Sequence, residues 1–190
     1  MGRDKASLPF GHELMLQRVV RLLAEVVDPS LIVVVSAAGQ VLPLLPPQVR
    51  VAFDENPGRG PLEGLAAGLK AMPDHVDAVY ATSCDVPLMA TGFVLAMFNH
   101  LGKHEIAVPV EGQFHHPLAA VYRPRVLTVV QQLLNANRLR PRFLFDEVNT
   151  MKVDVESLRE FDPTLSTLMN LNHPEDYEAA LKQLPALNRQ

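Results

Sequence analysis

Asp85 closes an apolar run and is followed by Val86-Pro87. Its carboxylate is therefore expected at the carboxyl edge of a sheet, where open α/β sheets take their ligands. A carboxylate there is placed to hold the hard divalent cation that chemistry on phosphates requires. Asp-x-Pro is also ordinary turn chemistry, and taken alone that reading is favoured. Cys84 should point to the opposite face and lacks a local partner for nucleophilic work, so packing is its expected role. A second candidate, residues 58–64, spells Gly-Arg-Gly-Pro-Leu-Glu-Gly. Its glycines follow G-x-G-x-x-x-G, which is not the dinucleotide fingerprint, and the chain has no Walker A sequence. The segment offers a tight turn at Gly60 feeding a helix N-terminus, which favours a polar or anionic ligand. Asp54 precedes it, placed to accept hydrogen bonds from a base or ribose. By itself the segment is read more readily as an ordinary strand-to-helix connection.

Arg3 and Lys5 lie in a polar stretch before the first helical pattern, two cations suited to neutralising a polyphosphate, although a solvated terminus is the default for such a segment. Asn170 and Asn172 stand one residue apart before Pro174. In an extended segment both amides face one side and reach one ligand, while the competing role is helix capping. The adjacent His115 and His116 point apart in a strand, and His100 and His104 have Gly102 between them and no accompanying Glu, so a zinc site is discounted.

The elements that position these residues alternate in type. Residues 13–27 carry apolar side chains at helical spacing, and 31–35 form an unbroken β-branched run that reads as a strand covered on both faces. Strands are expected at 49–53, 77–83, 105–110, 118–122 and 151–155. Helices are expected at 61–72, 91–101, 124–135, 141–148 and 174–184, several opening on Pro, which suits a first helical turn. This alternation predicts an α/β fold: a three-layer, mostly parallel, Rossmann-like sheet with helices on both faces, in one domain over residues 1–190.

Composition narrows the function. The 190 residues are 48% hydrophobic and 20% charged, enough apolar material for a core. A net charge of −4 argues against a nucleic-acid binder that relies on overall charge. The single cysteine excludes an intrachain disulfide framework and fits a reducing cytoplasm. No apolar run reaches the ~18–20 residues of a membrane span, and no signal peptide is visible.

Five segments, read in order, resemble the MobA-like nucleotidyltransferases. Met1 to Gly11 matches the family's Met-Gly-x-Asp-Lys-Ala-x-Leu-Pro-Phe-Gly. Asp54 to Gly64 matches Asp-x-x-Pro-Gly-x-Gly-Pro-Leu-x-Gly, and Cys84 to Pro87 matches Cys-Asp-x-Pro. His116 to Leu118 matches a His-Pro-Leu strand entry, and Asn170 to Asp176 matches Asn-x-Asn-x-Pro-Glu-Asp. The form of the first motif is most like that of the members acting in molybdenum cofactor maturation. The resemblance implies transfer of GMP from Mg·GTP to the terminal phosphate of molybdopterin or its molybdenum-loaded form, with release of pyrophosphate. Lys5 and Arg3 would hold the triphosphate, Asp85 would bind Mg²⁺, Asp54 and Gly60 would contact the nucleoside, and Asn170 and Asn172 would line the acceptor side. It also implies other cofactor-biosynthesis proteins or a molybdoenzyme chaperone as partners. A CTP- or sugar-phosphate-specific transferase and a non-catalytic nucleotide-binding module are the alternatives. Ser36-Ala37-Ala38-Gly39 stands where some relatives carry Asn, which leaves guanine selectivity open. The family places a strand and a glycine-rich loop ahead of Met-Gly. A central strand is therefore expected from ~20 residues upstream of Met1, the length of a strand plus its loop.

Overall fold

A computed structural model of the chain describes residues 4–54, 56 and 58–187. Its strands are β1 (Pro9–Phe10), β2 (Glu13–Leu14), β3 (Val33–Ser36), β4 (Arg50–Phe53), β5 (Val79–Thr82), β6 (Ile106–Glu111), β7 (Phe114–His115), β8 (Ala119–Tyr122) and β9 (Thr150–Asp154). Its α-helices are α1 (Met15–Ala24), α2 (Pro61–Lys70), α3 (Thr91–Leu101), α4 (Leu127–Asn135), α5 (Arg142–Glu147) and α6 (Pro174–Leu187). The expected α/β alternation is present. The first helix starts two residues later than its apolar pattern, because Glu13–Leu14 pairs with Pro9–Phe10 across a turn at Gly11. Gly11 has φ +69°, and a Cβ there would stand 3.3 Å from Leu184 of α6, so both backbone and packing call for glycine.

The sheet is mixed. β3 and β4 run parallel, as do β6 and β9, whereas β8 runs against both β5 and β6. β5, β6 and β9 therefore share a direction, and their carboxyl ends collect on one edge, where β8 begins. β7 folds back on β6 through the tight turn at Gly112, pairing Phe114 with Glu111. One face of this sheet packs Ile106, Val108, Ala120 and Tyr122 against α2, α4 and α5; the other packs Ala107, Ala119 and Val121 against α3 and Leu158. Val34 and Ile32 pack with Leu16 and Val20 of α1.

Among the described residues no ladder joins β3 to β5. A cavity of about 460 Å³ lies between them, with residues 33–35 on one wall, residues 79–82 on the other, and Val20 and Leu65 closing it from α1 and α2. All four residues of β5 are consequently only half-buried. No helix of the described residues is long and apolar enough to cross a membrane.

Candidate active site

Lys5 and Asp85, 80 residues apart in sequence, meet at the carboxyl edge of the sheet. Asp4 caps the single turn Lys5–Ser7, its Oδ1 accepting from the Ala6 amide at 3.2 Å, and this turn aims Lys5 inward. Lys5 Nζ donates to Asp85 Oδ2 and to Asn172 Oδ1, each at 2.7 Å. Ser83 Oγ donates to the other oxygen of Asp85. Asp85 is 5% exposed, yet the ammonium facing it still reaches solvent. Asp4 is tied in turn to the end of β3: Gln40 Nε2 donates to its two oxygens at 3.1 and 3.2 Å, and Gln40 Oε1 accepts from the Ala37 amide at 3.3 Å. Two consecutive residues thus bridge the β3 side and the β5 side of the cavity.

The loop carrying Asp85 is held from two directions. From α1, Arg18, 6% exposed, donates through Nε to the Pro87 carbonyl at 2.7 Å, with its guanidinium over the Phe10 ring. From the C-terminal part, Asp162, 3% exposed, accepts from the amides of Ser166 (3.1 Å) and Thr167 (2.8 Å) and from Thr167 Oγ1 (2.7 Å). The folded turn then engages the loop: Ser166 Oγ donates to Leu88 O at 2.8 Å, and the Ala90 amide donates to Thr167 Oγ1 at 2.9 Å. The Leu171 amide donates to Asp85 O at 2.9 Å, placing Asn170 and Asn172 on either side of that bond. Asn172 reaches Lys5, while Asn170 stands in solvent.

Asp54 and Gly60 belong to the neighbouring wall. Both line the cavity, with Gln40, Ser83 and Cys84 also on its boundary. Gly60 begins α2 at φ +80°. Asp54 Oδ1 is buried with no hydrogen-bond partner among the described residues, and a Cβ on Gly64 would lie 3.7 Å from it. Burial pushes the Asp54 carboxyl above its ordinary range, and the nearby Glu63 adds to this. Glu63 is itself buried, held by Asn56 Nδ2 at 3.1 Å and by Arg59. Cys84 is a poor nucleophile: burial, then the charges of Asp85 and Asp4, push its thiol up to about 11. Arg3 lies outside the described residues.

The structure therefore brings together Lys5, Asp85 and Asn172, and sets Asp54 and Gly60 on the adjoining wall. Arg18, Gln40 and Asp162 emerge only from the fold. A signal existed for Arg18, which falls in the Met15, Val19, Leu22 stripe of α1 as a cation among apolar residues. Asp162 precedes Thr164, Ser166 and Thr167, a cluster of hydroxyls typical of local capping.

A lone carboxylate beside an ammonium suits phosphate chemistry. Mg²⁺ keeps several waters and takes one or two protein carboxylates together with substrate phosphates, so Asp85 alone is an adequate protein ligand for a cation arriving with a nucleotide. Among the described residues no group of three His, Cys, Asp or Glu is arranged to hold a metal without one.

The MobA-like NTP transferase domain matches residues 1–150. A probable molybdenum cofactor guanylyltransferase of Methanosarcina mazei is 31% identical over 185 residues, covering 92% of this chain and 81% of the relative. One of Methanothermobacter thermautotrophicus is 32% identical, covering 93% and 90%. In fold, the chain is similar to the molybdopterin-guanine dinucleotide biosynthesis protein A of Archaeoglobus fulgidus, with a TM-score of 0.76 over 97% of this chain and 92% of that one, at 17% identity. Sequence and architecture agree, and the chain belongs to the MobA-like NTP transferase family of nucleotidyltransferases.

Proposed function

We propose that this protein transfers GMP from Mg·GTP to the terminal phosphate of molybdopterin, in its bare or molybdenum-loaded form, as the names of its relatives suggest. The observation that carries the reading is the junction of Lys5, Asp85 and Asn172 at the sheet edge. An oxygen of the acceptor phosphate attacks the α-phosphorus of GTP, the bond to the β-phosphate oxygen breaks, and pyrophosphate leaves. Bound Mg²⁺ supplies charge neutralisation at the phosphates, and Asp85 is the residue to hold it. Lys5, turning from Asp85 to the triphosphate, contributes a second positive charge where negative charge accumulates; Arg3 adds a third. Asn172 and Asn170 orient the acceptor. A phosphate monoester is already anionic near neutrality, so the site needs positioning more than a general base.

The unpartnered oxygen of Asp54 favours guanine. Guanine offers adjacent N1–H and N2–H donors to a carboxylate, whereas cytosine offers one amino group. Gly60, at the start of α2, lets the nucleoside approach the backbone. The cavity between β3 and β5 supports the further reading that an apolar strand, encoded ahead of Met1, seats there and brings its following loop to the triphosphate. The cytoplasm is the proposed location, consistent with one unpaired cysteine.

Pyrophosphate release with molybdopterin as acceptor tests the assignment. GTP is expected to support turnover at least about tenfold better than CTP, a difference of one good hydrogen-bonding edge. Equal turnover with CTP overturns the guanine assignment, and no turnover with either overturns the reaction.

A further inference from the structure

We propose that Phe114, Glu111 and His116 form the subsite for the flat bicyclic ring of the acceptor, a pterin, with the ring stacked on Phe114 and its N–H edge turned to Glu111. The inference rests on the guanylyl-transfer reading for the identity of the acceptor. Phe114 is 62% exposed at the tip of the β6–β7 hairpin, the most exposed aromatic ring among the large exposed hydrophobic residues. Its ring is held edge-on by the His116 imidazole, with centroids 4.9 Å apart and planes at 78°. His116 Nε2 is buried without a hydrogen-bond partner among the described residues, and burial keeps the imidazole below its ordinary range. The pair therefore presents an uncharged aromatic surface whose orientation is fixed. His115, the next residue, turns the other way and stacks on Phe145, which anchors the base of the hairpin.

Glu111 is directly opposite Phe114 across the ladder, where paired side chains stand about 4.5–5.5 Å apart at Cβ. It is exposed, and among the described residues its side chain makes no hydrogen bond or close ion pair, although its charge acts on Arg159 and His116. A stacking ring beside an exposed carboxylate matches a planar heterocycle carrying an amino group next to a ring N–H, which is the edge of a pterin. The position fits too. Glu111 ends β6 at the edge where β5 ends at Thr82, and His116 lies three residues before Ala119, the partner of Thr82. The hairpin thus belongs to the same edge of the sheet as the Asp85 loop.

Steady-state kinetics on the full protein tests this. Phe114→Ala and Glu111→Gln should each raise KM for the acceptor about tenfold, in line with loss of one stacked ring or one charged hydrogen-bonding edge, with kcat and KM for GTP within about twofold. An unchanged acceptor KM, or a loss appearing in KM for GTP instead, overturns the subsite. A second arm needs no turnover. The chain has no tryptophan, so Phe114→Trp introduces a single reporter whose emission pterin-6-carboxylate should quench saturably. Glu111→Gln on that background should weaken the quench about tenfold. Quenching no stronger than that of a control Leu95→Trp, on the exposed face of α3, overturns the inference. If the unaltered protein transfers no GMP, the reaction assignment fails while the fluorescence titration still decides the subsite.

Discussion

Asp162 touches no substrate in this arrangement, yet removing it should disturb the site more than most surface changes. In Asp162→Ala the amides of Ser166 and Thr167 lose their acceptor, and both residues are buried, at 9% and 1% exposure. A buried donor left unsatisfied costs ~1–3 kcal/mol, so the pair amounts to about 2–6 kcal/mol. Total stability of a domain is about 5–15 kcal/mol, which makes this a large fraction of it. Equilibrium urea unfolding followed by far-ultraviolet circular dichroism measures the loss directly. With a slope of ~1–3 kcal/mol per molar urea, the midpoint should fall by roughly 1 M or more. Asp162→Asn should lie between, since one oxygen still accepts while the amide N–H confronts another donor. Because the turn carries the ties to Leu88 and Ala90, both variants should also raise KM for the acceptor before they lower kcat. An Asp162→Ala midpoint within about 0.1 M of the parent, a shift worth at most ~0.3 kcal/mol and well below the loss of even one such bond, refutes the reasoning.

Three other outcomes are expected. Asp85→Ala should lower the Mg²⁺-dependent rate of pyrophosphate release at least about 10³-fold while the far-ultraviolet spectrum stays native, and an unchanged rate removes Asp85 from the mechanism. The raised carboxyl of Asp54 means that the folded state binds its proton more tightly than the unfolded chain, so this residue detracts from stability above its folded pKa and ceases to do so as pH falls through that value toward 3.8. Asp54→Asn should accordingly melt higher than the parent at pH 7, with the gap closing toward pH 4, while binding GTP more weakly; a gap independent of pH contradicts this. Finally, a chain extended ahead of Met1 by an apolar strand of about six residues and its loop should gain hydrogen-exchange protection at β3 and β5 amides. Protection unaltered by the extension counts against a strand in that cavity.

Much of this was written in local patterns. The β-branched run around Val33–Ser36, the Pro-initiated helix α2 and the turn after Thr82 are decided by side chains close in sequence, and the structure has them within a few residues. The pairing of Lys5 with Asp85 was approachable for the same reason: each sits in a short motif with its own logic of capping or strand termination. What pattern could not supply were partnerships chosen by tertiary geometry. Arg18 finds the Pro87 carbonyl 69 residues away, and Ser166 finds that of Leu88 across 78, neither of which leaves a periodic trace. The β1–β2 hairpin was hidden because Leu14 continues the apolar spacing of α1. The reversed direction of β8 depends on the tight turn at Gly112, after which β7 and β8 both run against β6, with no room for the helical crossover that a parallel neighbour requires.

One consequence concerns oxidants. With its thiol pushed up to about 11, Cys84 is thiolate in only about one molecule in ten thousand at neutral pH. Peroxide and disulfide reagents act on the thiolate, so the residue preceding Asp85 offers them almost nothing. The enzyme would then keep its own chemistry insensitive to the oxidation state of its surroundings, its one sulfhydryl silenced by the wall it stands in.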